Sequence, residues 1–227
     1  MINNNINVGD TFNKVAPLYS DVSNRYTIDR RYQKAALFTK GRLLDVGGAS
    51  GLFFSYLNSN IDPIVLDISY NMCIEARQNK ISKIVCADAE YLPFSNNSFD
   101  SVVSLEMIYY LENPMNFIIE VERVLKFDGT FVVSFYNSRL NFLVRLRSLL
   151  RKLNIGRMFI DDGNPTFTKL EVLFKYIDNT SLEIVKIDNV VFIPFKIFDK
   201  INKTLEKTFL KKYALFNIIS MKKNINK

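Results

Sequence analysis

The chain has 227 residues, a formal net charge of +7 and no histidine, which excludes a Ser-His-Asp triad, a Cys-His pair, a His-ligated metal and an imidazole general base. Apolar residues make up 48% and charged residues 23%, the balance of a globular chain with a full core in one domain, and no apolar run reaches the roughly 18 to 20 residues of a membrane-spanning helix. Cys73 and Cys86 form no CxxC pair and Met1–Asn5 lacks the features of a signal peptide, so the expected setting is a reducing cytoplasm without a disulfide framework or a zinc site.

In chain order, residues 28–39 read as a helix that stops near Lys40-Gly41, glycine being the usual terminator. Arg42–Val46 is a short apolar strand, followed by Gly47-Gly48-Ala49-Ser50-Gly51 and a helix to about Leu57. Pro63–Leu66 is a strand ending at Asp67, and Ser69 is placed to cap a helix running to about Asn79. Ile84–Cys86 and Phe99–Leu105 are the third and fourth strands, Pro114 opens a helix over 114–126, and Asp128-Gly129 turns into the strand Thr130–Phe135. Then come an inserted helix near 139–153, a loop through Asp161-Asp162 to Pro165, and a helix from Thr166 to Ile177. The pattern closes with a strand over Ser181–Ile193, a helix from Pro194 to about Tyr213, and a strand over Ala214–Met221 whose direction spacing leaves open. Strands interleaved with helices imply an α/β fold with a mostly parallel sheet and helices on both faces; no internal repeat is present.

Three of these strands end in acids. Asp45 lies in Leu43-Leu44-Asp45-Val46, just before a glycine-rich turn where small residues admit a ligand close to the backbone and a following helix offers free N–H donors. The turn does not fit a dinucleotide fingerprint, because Leu52 stands where its last small residue belongs, and no phosphate-binding G-x-x-x-x-G-K-[ST] occurs. Asp67, 20 residues after Gly47, can accept hydrogen bonds from a ribose diol or simply cap the next helix. Asp88 can accept from an adenine amino group beside the Ala89 N–H, or be an ordinary loop acid. Together they mark the carboxyl edge of a parallel sheet, where ligands bind.

These blocks resemble the class I S-adenosylmethionine (SAM)-dependent methyltransferases, in particular the broad group that includes the ubiquinone- and menaquinone-pathway enzymes. The residues are Leu44–Gly51, Val65–Ser69, Ala87–Phe94, Asn97–Ser104 and Arg123–Gly129. The resemblance implies a Rossmann-like seven-stranded sheet in a single domain over 1–227: N-terminal flap helices (1–40), a SAM-binding core (41–136), a helical lid insertion (137–165) and C-terminal elements completing the sheet (166–227). It implies SAM as cofactor, S-adenosylhomocysteine as product and no metal. Asp45 with Gly47, Gly48, Ala49, Ser50 and Gly51 would hold the methionine end, Asp67 the ribose, and Asp88 with Ala89 the adenine; Ile68 and Leu105 complete the cofactor set. Ala49 replaces the usual middle glycine, at little expected cost because alanine tolerates turns with negative φ. Tyr19 matches a flap aromatic that closes over SAM, and equally suits packing of the first helix. Glu106, Tyr109 and Tyr110 are the catalytic candidates; the tyrosines stand where many relatives have a histidine pair.

Without histidine, in-line methyl transfer must rest largely on positioning. Amine and carboxylate acceptors need no base, while a hydroxyl needs Glu106, or Asp161 or Asp162 from the lid. Residues 139–157 hold five arginines and Lys152 with no acid, and 196–227 hold nine lysines against Asp199 and Glu206. The 139–153 helix is amphipathic, with Phe142, Leu143, Leu146, Leu149, Leu150 and Leu153 on one face and Arg145, Arg147, Arg151 and Lys152 on the other. It is either an ordinary lid or a dock for an apolar acceptor, an anionic head group or a membrane surface. Phe195, Phe198, Ile201, Leu205 and Phe209 among the C-terminal lysines are expected mostly to cover the sheet. The preferred acceptor is a small or lipid-like molecule. The alternatives are an RNA methyltransferase using the basic lid, although Leu105-Glu106-Met107-Ile108 is no [DNS]-P-P-[YFW] block, and an inactive SAM-binding protein.

Overall fold

The computed structural model describes residues 8–22, 24–137, 139 and 170–224, with the backbone alone for residues 15, 17–22 and 170. Beyond Arg139, the expected lid helix with Arg145, Arg147 and Arg151, and Asp161 and Asp162, lie outside the described residues. Seven strands form one sheet: β1 (Arg42–Val46), β2 (Asp62–Asp67), β3 (Ile84–Cys86), β4 (Phe99–Leu105), β5 (Leu125–Tyr136), β6 (Leu182–Val190) and β7 (Phe216–Lys223), in the order β3-β2-β1-β4-β5-β7-β6. The first five run parallel. β7 settles the direction left open above: it is antiparallel to both β5 and β6.

The central strands are rich in apolar residues because both faces are covered. On one face α4 (Pro114–Val124) and α5 (Leu170–Asp178) pack Phe117, Ile118, Val121, Leu173 and Ile177 against Leu44, Val102, Phe131 and Val133. On the other, α2 (Arg25–Ala36) and a 3-10 turn at Leu52–Tyr56 bring Ala35 and Phe53 onto Leu43, Val103 and Val132. α1 (Val8–Val22) lies against α3 (Tyr70–Gln78). Ser69 caps α3 by accepting from the Met72 N–H, as expected, and Asn113 caps α4 ahead of Pro114.

Several expectations are corrected. The first helix of the pattern spans Arg25–Ala36 rather than 28–39, since Asn24 accepts from the Thr27 N–H and starts it three residues earlier. The segment after Gly51 is the 3-10 turn, not an α-helix: only Phe53 of its residues is buried, and Leu57 is already extended. β5 begins at Leu125, so Asp128-Gly129 is an irregularity within the strand, where Phe99 pairs with Leu125 but Ser101 with Thr130. The expected helix 194–213 is broken into a 3-10 turn at Lys196–Phe198, α6 (Asp199–Leu205) and a second 3-10 turn at Phe209–Tyr213. The break follows Glu206, whose carboxylate turns inward to accept from the Val191 N–H, and Thr208 caps the next turn. Phe195, Ile201 and Phe209 do not cover the sheet; they are 54%, 49% and 80% exposed.

Candidate active site

The carboxyl ends of β1, β2, β3 and β4 bring Asp45, Asp67, Asp88 and Glu106 to one edge. The loop after β1 is fastened to β2 by the Gly47 and Gly48 N–H groups, which both donate to the Leu66 carbonyl. Asp67 then holds the loop from the side: Oδ2 accepts from the Ala49 N–H and Oδ1 from the Ser69 N–H, each at 2.9 Å. Burial raises the Asp67 pKa, and the bonds from Ser69, Ala49 and Ile68 oppose that rise. Ala49 has φ +47°, against the expectation of negative φ; the pull of Asp67 on its N–H accompanies this left-handed backbone.

Asp45 is 2% exposed, and among the described residues its Oδ2 has no hydrogen-bond partner. Burial, and then repulsion from Asp67, push its pKa up to about 7. Gly48 lies directly over this carboxylate, where a Cβ would come within 2.7 Å of Oδ2. A buried, unpartnered carboxylate under a side-chain-free residue wants a cationic partner, and the ammonium end of an amino-acid-like ligand has that chemistry. The donor set therefore fits SAM. Gly47, at φ +71°, leaves no room for a side chain against Met107 of the neighbouring loop.

Asp88 is exposed in the loop after β3, where Oδ1 accepts from the Glu90 N–H, and Ala89 is buried beside it. Ile68 is 42% exposed and Leu105 9% exposed at the same edge. Ser50 and Gly51 complete the turn, with Gly51 N–H returning to the Gly48 carbonyl. α1 reaches across: Asn13 Oδ1 accepts from Ser69 Oγ at 2.8 Å and from the Asn71 N–H, and Phe12 meets Tyr110 edge-on at 5.1 Å. Tyr19 lies in α1, with its side chain outside the described residues.

Glu106 directly follows β4, at φ +62°. Oε1 accepts from Ser134 Oγ at 2.8 Å and faces Arg31 Nη1 at 3.1 Å, and Oε2 accepts from the Tyr109 hydroxyl at 2.9 Å. Arg31 comes from α2, donates through Nε to the Thr27 carbonyl and lies 4.3 Å over the Phe216 ring. Its burial works against the charge, yet Glu106 and the surrounding tyrosines outweigh that and raise its pKa. Burial first, then the Glu106 charge, hold the Tyr109 phenol well above its ordinary range. Tyr110 packs on Tyr109 with ring centres 4.8 Å apart. Arg31, Ser134, Asn13 and Phe12 were not among the sequence candidates: Arg31 follows Arg30 on a polar helix and reads as surface charge, and only the tertiary fold turns it inward.

Other motif residues hold the architecture. Arg123 reaches from α4 to the carbonyls of Leu92 and Phe94 while paired with Glu120, whose Oε2 also accepts from the Leu92 N–H.

Residues 44–133 match the methyltransferase domain family. An uncharacterized protein of Methanocaldococcus jannaschii is 31% identical over 133 residues, 57% of this chain and 52% of that protein. Demethylmenaquinone methyltransferase of Renibacterium salmoninarum is 28% identical over 137 residues, 53% of this chain and 58% of that protein. The matches thus span a little over half the length of these two curated relatives. A solved Thermotoga maritima structure, described as a SAM-dependent methyltransferase and possible histamine N-methyltransferase, superposes with a TM-score of 0.71 at 20% identity, covering 96% of this chain and all of that one, and so shares its fold. Among the described residues no helix is long and apolar enough to cross a membrane.

Proposed function

We propose, on the premise that this chain belongs to the class I S-adenosylmethionine-dependent methyltransferases, that it methylates a small or lipid-like acceptor by in-line displacement without a histidine base. The observation that carries this is the unpartnered Asp45 Oδ2 beneath Gly48, a site whose buried charge is relieved by the ammonium of the methionine moiety. SAM, when bound, supplies a sulfonium-activated methyl group. In this reading Gly47, Gly48, Ala49, Ser50 and Gly51 admit the ligand to the backbone, Asp67 serves the ribose, Asp88 and Ala89 the adenine, Ile68 and Leu105 its flanks, and Tyr19 the flap. Glu106, Tyr109 and Tyr110 form the acceptor side. Glu106 acts there mainly by positioning, because Arg31, Ser134 and Tyr109 already engage both of its oxygens. The Tyr109 phenol keeps its proton, so the transfer favours acceptors that arrive with a nucleophilic lone pair.

The test is methyl transfer from radiolabelled SAM into a lysate of the source cells, with Asp67→Ala as control, followed by organic, small-molecule and nucleic-acid fractionation. Label in the organic or small-molecule fraction supports the proposal, and label in RNA replaces the acceptor. No label above the control, with SAM binding intact, leaves a binding protein.

A further inference from the structure

The loop between β6 and β7, residues 191–215, stands apart from the rest of the surface. Because β5 runs parallel to β4 while β7 runs against β5 and β6, β6 ends and β7 begins at the carboxyl edge that carries Asp45 and Glu106. Asn137, at the end of β5, fastens the loop there: its backbone N–H donates to the Leu215 carbonyl and its side chain to the carbonyls of Lys212 and Ala214, each at 2.8 Å. The segment therefore forms a rim of the proposed active site.

Its polar groups divide by direction. On α6, Asn202 is fully buried, bonding the Tyr26 hydroxyl and the backbone of Phe192 and Ile193. Both acids turn the same way: Asp199 meets Tyr26 and Lys203, and Glu206 meets Arg30 and the Val191 N–H. At about 100° per residue, Lys200 and Thr204 then lie on the face opposite Asn202. Lys196, Lys200, Lys207 and Lys211 are exposed, and among the described residues none of them pairs with a carboxylate. Between these cations large apolar side chains stand in solvent: Ile197 is 86% exposed, Phe209 80%, Phe195 54% and Ile201 49%. Lys200, Ile201, Thr204 and Leu205 line a shallow hollow of about 240 Å³. Both 3-10 turns pack on α6, so the cations and apolar side chains belong to one compact unit.

We infer that residues 195–213 are a docking surface for a bilayer bearing anionic head groups, placed so that the active-site rim meets the membrane. Charge complementarity selects the partner. Inward-facing acids leave an outward lysine face, and anionic lipids attract such lysines while the interface takes up the apolar side chains. Nucleic acid fits less well: the segment has six lysines and no arginine for bidentate contacts, and although Phe195 and Phe209 could stack on bases, Ile197, the most exposed apolar side chain, and Ile201 have no π-face to do so. That the surface presents a lipid-like acceptor to Glu106 rests on the methyltransferase reading; its attachment to membranes does not.

The experiment is co-sedimentation of the full chain at low salt with vesicles of equimolar phosphatidylcholine and phosphatidylglycerol, against phosphatidylcholine alone. Wild type is expected to sediment with the mixed vesicles only. The triple variant Lys200→Glu/Lys207→Glu/Lys211→Glu and the separate Ile197→Asp/Phe209→Asp variant are each expected to lower the bound fraction by about tenfold or more. All these side chains are exposed, so melting temperature and SAM binding by calorimetry should match wild type in both variants. Wild type remaining in the supernatant, or variants sedimenting like wild type, overturns the assignment. So does a triple variant that loses retention on single-stranded RNA while still sedimenting with vesicles. A wild type that sediments but binds no SAM sinks the methyltransferase reading and leaves the docking surface standing.

Discussion

Asp67 Oδ2 accepts the Ala49 N–H at 2.9 Å while Ala49 holds φ at +47°. One carboxylate at the end of β2 thus shapes the turn after β1, in addition to any direct bond to a ribose. Asp67→Ala removes both roles and should weaken SAM binding by about 1–3 kcal/mol, the cost of lost hydrogen bonds to a charged group. Asp67→Asn keeps one acceptor oxygen and should fall between the two. Calorimetric titration of the three proteins checks this, and equal affinities would remove Asp67 from the cofactor site.

Ala49 itself carries a cost. A left-handed backbone disfavours a Cβ by roughly 1–2 kcal/mol, and glycine returns part of that gain through unfolded-state entropy. Ala49→Gly should therefore stabilise the chain by about 0.5–1 kcal/mol net. For a chain of this size that is an increase of about 1–4 °C in melting temperature. A lower melting temperature would mean that the loop relaxes around alanine.

Asp45 makes stability depend on pH. Its folded pKa, about 7, lies above the ordinary 3.8, so the folded form binds the proton more tightly than the unfolded one. Stability is then full below about pH 4 for this group and is lost as pH rises toward 7. Asp45→Asn should lose less stability between pH 5 and pH 8 than wild type, by on the order of a few kcal/mol. It should also bind SAM more weakly. Because a cationic partner lowers the Asp45 pKa, binding near pH 6.5 should release protons, seen as a dependence of the calorimetric heat on buffer ionisation enthalpy. No buffer dependence would argue against Asp45 facing the ligand's charge.

The strands and the acids at their ends were legible because they depend on local pattern. Leu43–Val46 and Val102–Leu105 are apolar runs with an acid or turn at a fixed place, and Asp45, Asp67 and Asp88 fall at strand ends in order. The helix limits were less legible wherever a side chain bonds across the fold. Asn202 and Glu206 satisfy the backbone at Phe192, Ile193 and Val191, and that break in the 194–213 helix leaves no periodic trace. The conformation of Ala49 was not legible either, because it is accompanied by Asp67, 18 residues away. Arg31 is the extreme case: its identity as a buried charge depends on Glu106, Ser134 and Phe216, which the chain reaches only after many intervening elements.

The Arg31–Glu106 pair provides a direct test of how the proposed acceptor side is held. Both side chains are largely buried, 9% and 15% exposed, so removing one partner leaves an uncompensated charge. Arg31→Met alone should destabilise the chain by about 3–5 kcal/mol, whereas adding Glu106→Gln should recover a large part of the loss, since neutral groups need no counter-ion. Glu106→Gln alone leaves Arg31 beside an amide oxygen and the Phe216 ring, and should cost less. The three variants close a thermodynamic cycle, read by denaturant unfolding. Additive losses would mean that the pair is held by separate contacts. If Glu106 positions rather than removes protons, Glu106→Gln should lower the methyl-transfer rate without shifting its pH profile; a profile that loses an acidic limb in that variant would make Glu106 the base.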